Sequence, residues 1–321
     1  MNKEISPNPF FITYMIICIN NQLNIFIMKK VILSISAMLF VGAASYAQPG
    51  PSAGANSSLV GQLGTSQNAL VHQIGTAQSS KIKQTVNNND AFVYQGVNPG
   101  QIMGSGVNIS TKNMADIDQK GNDNRAFISQ NNWDNKATQK QVGDRNDATI
   151  WQDETGFSYP ALKGHDTATQ TQTGKDNKAT IDQGTSGNNP LPVVGTFPMM
   201  NPLSSAVPVN PHGDNVAVQT QTGNFNLAYT SQGGLRNDSK ISQNSTSQAA
   251  SASARNEANH YQYGNDNIAE TTQLGFKNRD NILQEGNWNK SYTNQNGFSS
   301  GNMNAVSQQG SYNVSNVTQS N

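Results

Sequence analysis

QKGNDNRAFISQ, residues 119–130, starts and finishes on a glutamine, with Gly121, Asn124 and Ala126 between them at fixed steps. The same skeleton, Q-x-G-x-x-N-x-A-x-x-x-Q, returns as Gln141, Gly143, Asn146, Ala148 and Gln152, and again as Gln172, Gly174, Asn177, Ala179 and Gln183. Two more copies carry Gln221, Gly223, Asn226, Ala228 and Gln232, and Gln262, Gly264, Asn267, Ala269 and Gln273. Extended in both directions, the register also takes in Gln62, Gln73, Gln84, Gln95, Gln243, Gln284, Gln295, Gln308 and Gln319, nineteen glutamines in all. Thirteen of the eighteen intervals are eleven residues and the others are 24, 20, 38, 19 and 13, so the spacing resumes after each interruption. A register that survives insertions identifies a repeat protein, whose fold follows from what one unit does.

Read from its asparagine, N-x-A-x-x-x-Q-x-G, the unit has its marked positions two or four apart, so period two places them on one face of a strand. A third position on that face is usually apolar or threonine, as at Ile82, Ile117, Ile128, Ile150, Ile181, Ile241 and Ile282, with polar exceptions at Gln139, Gln170, Gln219 and His260. The alternate face is mixed, from Lys81 and Asp116 to Phe92, Tyr94, Phe127, Trp151 and Tyr229. One face is therefore expected to be buried and the other free to vary. The strand should end at a glycine: Gly64, Gly75, Gly121, Gly143, Gly174, Gly223, Gly234, Gly264, Gly275, Gly286, Gly297 and Gly310 occupy that place, where positive φ is reached without steric cost. Asn124, Asn135, Asn146, Asn177, Asn226, Asn237, Asn267, Asn278, Asn289 and Asn313 follow, and asparagine is the next most tolerant residue in such turns.

Strand plus turn, doubled, predicts an all-β solenoid of about nine stacked coils, with strands about 4.8 Å apart and facing sheets about 10 Å apart. Buried glutamines are compatible with such a core only if they satisfy one another, because an unpaired buried amide costs about 1–3 kcal/mol. Stacked in register, each donates to its equivalent one coil away, as in cross-β amide ladders, and the turn asparagines can do the same. Without the register this polar composition, 34% hydrophobic, would read as disorder.

Residues 28–47 read as a secretory signal peptide, with Lys29 and Lys30, an apolar run from Val31 to Val41, and cleavage after Ala47. Residues 1–27 then read as an over-extended start, residues 48–55 as a short mature segment, and residues 56–321 as the repeat array. Insertions are expected at about 96–112, 153–165, 184–214, 244–255 and 298–301, all in turns; the longest carries six prolines, which exclude it from a ladder. Cys18, the only cysteine, precedes the expected mature chain.

Twenty basic and twenty acidic residues balance, which gives no electrostatic reason to expect nucleic acid. Asp116, Asp118, Asp182 and Glu270 do not gather at matching positions of adjacent units, and His72, His165, His212 and His260 lack metal-ligand spacing. The expectation is a protein that is not an enzyme, with no cofactor, no metal and no small-molecule substrate. Charged neighbours such as Asp123 with Arg125, Asp144 with Arg145, and Lys175 with Asp176 read as solvated turns. Nothing resembling a cap flanks the array, and open strand edges of matching chemistry favour head-to-tail stacking.

The motif Q-x-G-x-x-N-x-A-x-x-x-Q in tandem behind a signal peptide resembles the curlin repeat of curli amyloid subunits, over about residues 56–321. The resemblance implies a secreted bacterial fibre subunit, either major curlin or nucleator. It would cross the outer membrane through an export channel, meet a nucleator or second curlin at the surface, and polymerise with itself into adhesive biofilm matrix. It also implies that the Gln, Asn, Gly and Ala positions above are the ladder residues. A monomeric surface adhesin built on the same solenoid is the alternative.

Overall fold

The computed structural model describes residues 54–96, 111–131, 133–152, 164–184, 213–245, 252–297 and 301–321. The signal peptide with Ala47, Cys18 and most of the proline-rich insertion lie outside them. The described residues belong to one compact unit, Gln48–Asn321. They form nineteen strands numbered in chain order, plus a single 3-10 turn at Ala252–Ala254. Ten strands make one sheet: β1 (Ser57–Thr65), β3 (Ser79–Asn87), β5 (Met114–Asn122), β7 (Lys136–Asp144), β9 (Thr167–Lys175), β11 (Val216–Asn224), β13 (Asp238–Asn244), β15 (Ile268–Gly275), β17 (Lys290–Gly297) and β19 (Val314–Ser320). Nine make the facing sheet: β2 (Asn68–Gln73), β4 (Asp90–Gln95), β6 (Arg125–Gln130), β8 (Asp147–Gln152), β10 (Lys178–Gln183), β12 (Leu227–Gly233), β14 (Glu257–Tyr263), β16 (Arg279–Glu285) and β18 (Met303–Gln309). All neighbours run parallel, and the chain alternates between the sheets at every strand. This is an open β-solenoid of nine and a half coils.

Every strand pair is aligned on its glutamines: Gln62 on Gln84, Gln84 on Gln119, Gln119 on Gln141, and so to Gln319. Insertions do not disturb this. Gln84 bonds a partner 35 residues on and Gln172 one 49 residues on, at the same distance as pairs 22 apart. Inside, the small residues and isoleucines of both sheets interlock; Ile82, Ile117, Ile128, Ile150, Ile181, Ile241 and Ile282 are fully buried. The polar exceptions extend this logic, since Gln139, Gln170 and Gln219 sit in one column and form a further ladder that ends on Thr230 Oγ1.

Turn geometry departs from expectation in one respect. The left-handed residue after each glycine is the one before the ladder asparagine, whatever its chemistry: Asp123, Arg145, Phe225, Arg236 and Trp288 all have φ of 54–61°. The asparagines themselves are not in that region, because their role is side-chain bonding between coils. Gly297 also departs: its φ is not positive, and an added Cβ would lie 2.4 Å from Asn278 Oδ1. Close approach, rather than turn conformation, excludes a side chain there, at the edge of the 298–301 insertion.

Elsewhere the glycines form a column with two demands at once. A Cβ on Gly264 would lie 2.0 Å from the Gly286 carbonyl oxygen, and one on Gly286 equally close to that of Gly310. The backbone there has φ above 100°, which side chains rarely adopt. Val86 takes the glycine place near the end of β3 and carries the strain, with φ of 90°. Gly264→Ala is therefore expected to cost on the order of 3 kcal/mol, whereas Val86→Gly raises stability. Guanidinium denaturation of both variants checks this, and a loss of stability in Val86→Gly would refute the strain assignment.

Candidate assembly surface

The sequence-predicted ladder residues come together as continuous columns. Nine glutamine rungs in the ten-stranded sheet have Nε2 to Oε1 distances of 2.8–2.9 Å. Eight in the facing sheet span 2.8–3.0 Å. Each amide after Gln62 also donates to a backbone carbonyl of the facing sheet, as Gln141 does to Arg125 O and Gln232 to Val216 O. Between the end coils the ladder glutamines are buried.

Asparagines stack along both turns and run the other way. The backbone N–H and Nδ2 of Asn146 donate to Asn124 Oδ1, and those of Asn177 to Asn146 Oδ1. The sequence hypothesis names Asn124, Asn146, Asn177, Asn226 and Asn278 on one turn column, and Asn135, Asn237, Asn267, Asn289 and Asn313 on the other. Asn89, Asn215, Asn256 and Asn302 belong to the same columns; the sequence reading missed the last three because insertions precede them, and Asn89 because Val86 stands in the glycine place before it.

All glutamine rungs share one direction, so the two ends of the solenoid differ. At the N-terminal end the Oε1 atoms of Gln62 and Gln73 receive no donor among the described residues, while their amide nitrogens serve the next coil. At the C-terminal end Gln308 Nε2 donates only to Lys290 O and Gln319 Nε2 only to Met303 O, leaving an amide hydrogen on each. Asn302 and Asn313 bring Oδ1 acceptors to the same face. The two ends are thus complementary in kind, acceptors at one and spare amide hydrogens at the other.

The outer edges of β1, β2, β18 and β19 pair with no strand among the described residues. From Gly54 to Ser80, and from Ser291 to Asn321, the sequence contains no Asp, Glu, Lys or Arg. Charges are a common guard against edge pairing, and neither end has one. Of eleven large apolar side chains exposed among the described residues, six, namely Leu59, Leu63, Leu70, Met303, Tyr312 and Val314, lie in these end coils. Apolar exposure is thus concentrated where the edges are open.

Charged turn residues, expected to be solvated, pair between coils rather than with their sequence neighbours. Arg145 makes a two-pronged bond to Asp176, 2.7 Å at each prong, and Lys175 reaches Asp144 at 3.3 Å. Arg236 grips Asp266 in the same way. Stacking brings residues about one coil apart into register, and a turn neighbour points elsewhere. On the outer face of the nine-stranded sheet, His72, Tyr94, Phe127 and Trp151 form a succession of ring contacts, closest at 4.6 Å between Phe127 and Trp151. Tyr229 contacts Tyr261 and is buried despite its outward position. Among the described residues no group of three His, Cys, Asp or Glu is placed to hold a metal ion.

Asp280 and Asp166 are buried carboxyls that the sequence did not single out. Asp280 occupies a small-residue position above Ala258. It accepts from Thr271 and, at 2.7 Å, from Asn304, and burial pushes its carboxyl up to about 6 against these bonds. Thr271 also contacts His260 Nε2, whose ring reaches Ser239 through Nδ1 at 2.8 Å. Burial holds that imidazole down at about 3, so the ring is neutral in a polar relay through the core.

Asp166 stands in the asparagine column between Asn135 and Asn215. Its Oδ2 is buried without a partner, where an asparagine would present an amide. Burial pushes the carboxyl up to about 7, although hydrogen bonds from Asn215 oppose this. The folded chain therefore keeps a proton that the unfolded chain releases above the ordinary value of 3.8. That stabilisation is complete below 3.8 and is lost as pH rises toward 7. Asp166→Asn is expected to be more stable than the parent at pH 8 by roughly 1–3 kcal/mol, with the gap closing by pH 4. Denaturant midpoints at the two pH values check this; a gap independent of pH would exclude titration of Asp166.

Comparison of the chain with protein-family models, with curated proteins and with solved structures returns no match.

Proposed function

We propose that this chain is a secreted structural subunit that polymerises head-to-tail into extracellular, curli-like amyloid fibres serving matrix and adhesion. The observation that carries the reading is the polarity of the ends. Gln62 and Gln73 offer unfilled amide oxygens, Gln308 and Gln319 offer spare amide hydrogens, and neither end coil contains an Asp, Glu, Lys or Arg. A contact between two different faces of one molecule does not close on itself and propagates as a filament. The repeat motif's resemblance to curlin units supports the same reading. Export through an outer-membrane channel, and a nucleator or second curlin as partner, are parts of the proposal that come from that resemblance. No catalytic or cofactor role is proposed.

Residues 48–321 at micromolar concentration are expected to show a lag, then thioflavin-positive fibres that seed fresh protein and diffract near the inter-strand repeat of about 4.8 Å. A chain that stays monomeric by size exclusion over days would favour the monomeric adhesin and defeat polymerisation. Gln319→Ala should slow elongation while leaving the far-ultraviolet spectrum of the monomer unaltered. An unchanged rate would mean that the amide ladder is not the joint.

A further inference from the structure

The two sheets are staggered by half a strand spacing. Gln84, on β3, donates both to Asn68 O and to Asn89 O, which lie in the facing sheet one strand apart, since Asn68 N bonds Asn89 O. Gln130 spans Met114 O and Asn135 O in the same way, and Gln232 spans Val216 O and Asn237 O. Each strand thus advances the solenoid by about 2.4 Å, half of the usual spacing, and changes sheet as it does so.

Nineteen strands is an odd number, and both β1 and β19 belong to the ten-stranded sheet. The next vacant level therefore lies on β18, in the other sheet, and the level after that lies on β19. A second copy enters with β1 and continues with β2 half a spacing higher. We infer that successive subunits are related by a half-turn about the stacking axis, so that β1 of one copy pairs with β18 of the preceding one and β2 pairs with β19. This rests on the head-to-tail reading above and specifies its joint.

Without the half-turn, β1 would sit on β19 and β2 would then stand about 9.6 Å above β18, two spacings away. One strand level would be empty and two edges would keep unpaired backbone groups inside the fibre, which is unfavourable. With the half-turn both edges are paired at once. Alignment on glutamine sets Gln308 against Gln62 and Gln319 against Gln73, satisfying all four amide groups. Val306 meets Val60 and Val317 meets Val71, continuing the apolar column. Asn304 supplies an independent argument. Its Nδ2 is engaged by Asp280 and Thr293, but its Oδ1 has no donor among the described residues. The half-turn brings Ser58, an inward-facing hydroxyl, opposite it; the unrotated stack leaves it facing the empty level.

Paired cysteines distinguish the two arrangements. Residues 48–321 contain no native cysteine, and Leu59, Ala305 and Asn316 are all exposed on outer faces. The half-turn places Leu59 beside Ala305 of the neighbouring copy and on the opposite face from Asn316. The unrotated stack does the reverse. Fibres of the double variants L59C/A305C and L59C/N316C would be treated with a short bis-thiosulfonate crosslinker and run on denaturing gels, with unassembled protein as control. The expected result is a ladder of covalent multimers from L59C/A305C and loss of that ladder in L59C/N316C. A ladder from L59C/N316C alone, or equal ladders from both, overturns the half-turn while leaving polymerisation intact. A second pair, L70C/N316C, should crosslink as L59C/A305C does; failure of that pair in well-formed fibres also overturns it. If none of the variants nor the parent forms fibres, the head-to-tail reading fails and the half-turn with it.

Discussion

Side-chain amides buried in register are the constraint on which the rest of this molecule depends. A glutamine in a dry core needs two acceptors for its hydrogens, and here the next coil supplies one and the facing strand supplies the other, as for Gln141 with Gln172 and Arg125. Slipping one strand by a residue would turn its glutamine outward and its lysines and aspartates inward. Slipping by two would set the amide against isoleucine and leave groups unpaired at about 1–3 kcal/mol each. Register is therefore locked at every coil by local chemistry. Loop length then matters little, because closure entropy grows only by about 0.6 kcal/mol per doubling. That is why Gln172 and Gln221, 49 residues apart, meet as well as Gln119 and Gln141 do, 22 apart.

The ladders also impose direction. Glutamine columns donate toward the C-terminal end and asparagine columns toward the N-terminal end, so their amide dipoles oppose each other along the stack. A single ladder of one sense would build up a growing axial dipole; two of opposite sense moderate it. The glycine column fits beside them because a turn carbonyl of the next coil sits where a side chain would begin. Interior glutamine, turn asparagine and glycine are thus three answers to one requirement, that identical backbones lie within a strand spacing of each other.

Most of this was legible in the sequence because each column repeats its own residue type. The period-two face, the strand and turn boundaries and the amide stacking all follow from Gln119 to Gln130 read against their copies. What stayed hidden depends on which residues become neighbours in a column when insertions change their sequence separation. Asp166 looks like an ordinary loop aspartate until it is seen between Asn135 and Asn215. Asp280 looks like an outlying acid until Ala258 and Asn304 are found below and above it. Val86 gives no sign of strain until its position after Gln84 is matched with Gly121. The turn asparagines misled for a different reason. Their general tolerance of left-handed backbone is real, but here the preceding residue bears that conformation and the side chain is committed to the ladder.

Charge distribution and strand parity bear on the same question, what the ends are for. In the body, Arg145 with Asp176 and Arg236 with Asp266 cross from coil to coil, so ionised groups are tolerated wherever a partner stacks above or below. An end coil has a stacked neighbour on one side only. In the proposed fibre, a charge on its open side would be solvated in the monomer and would then lose water at the joint. The sequence from Ser291 onward and from Gly54 to Ser80 avoids that cost by having no such group. Parity adds a geometric consequence that composition does not reveal. An even number of strands would return each copy to the same sheet and let copies repeat by translation along the axis. An odd number of described strands ends on the sheet where it began, so in the proposed fibre the vacant site left by one copy would match the next only after the two sheets exchange places. Since all four end strands carry the same glutamine register, that exchange would require no new chemistry at the joint, only that the two sheets be equivalent in their inward-facing amides.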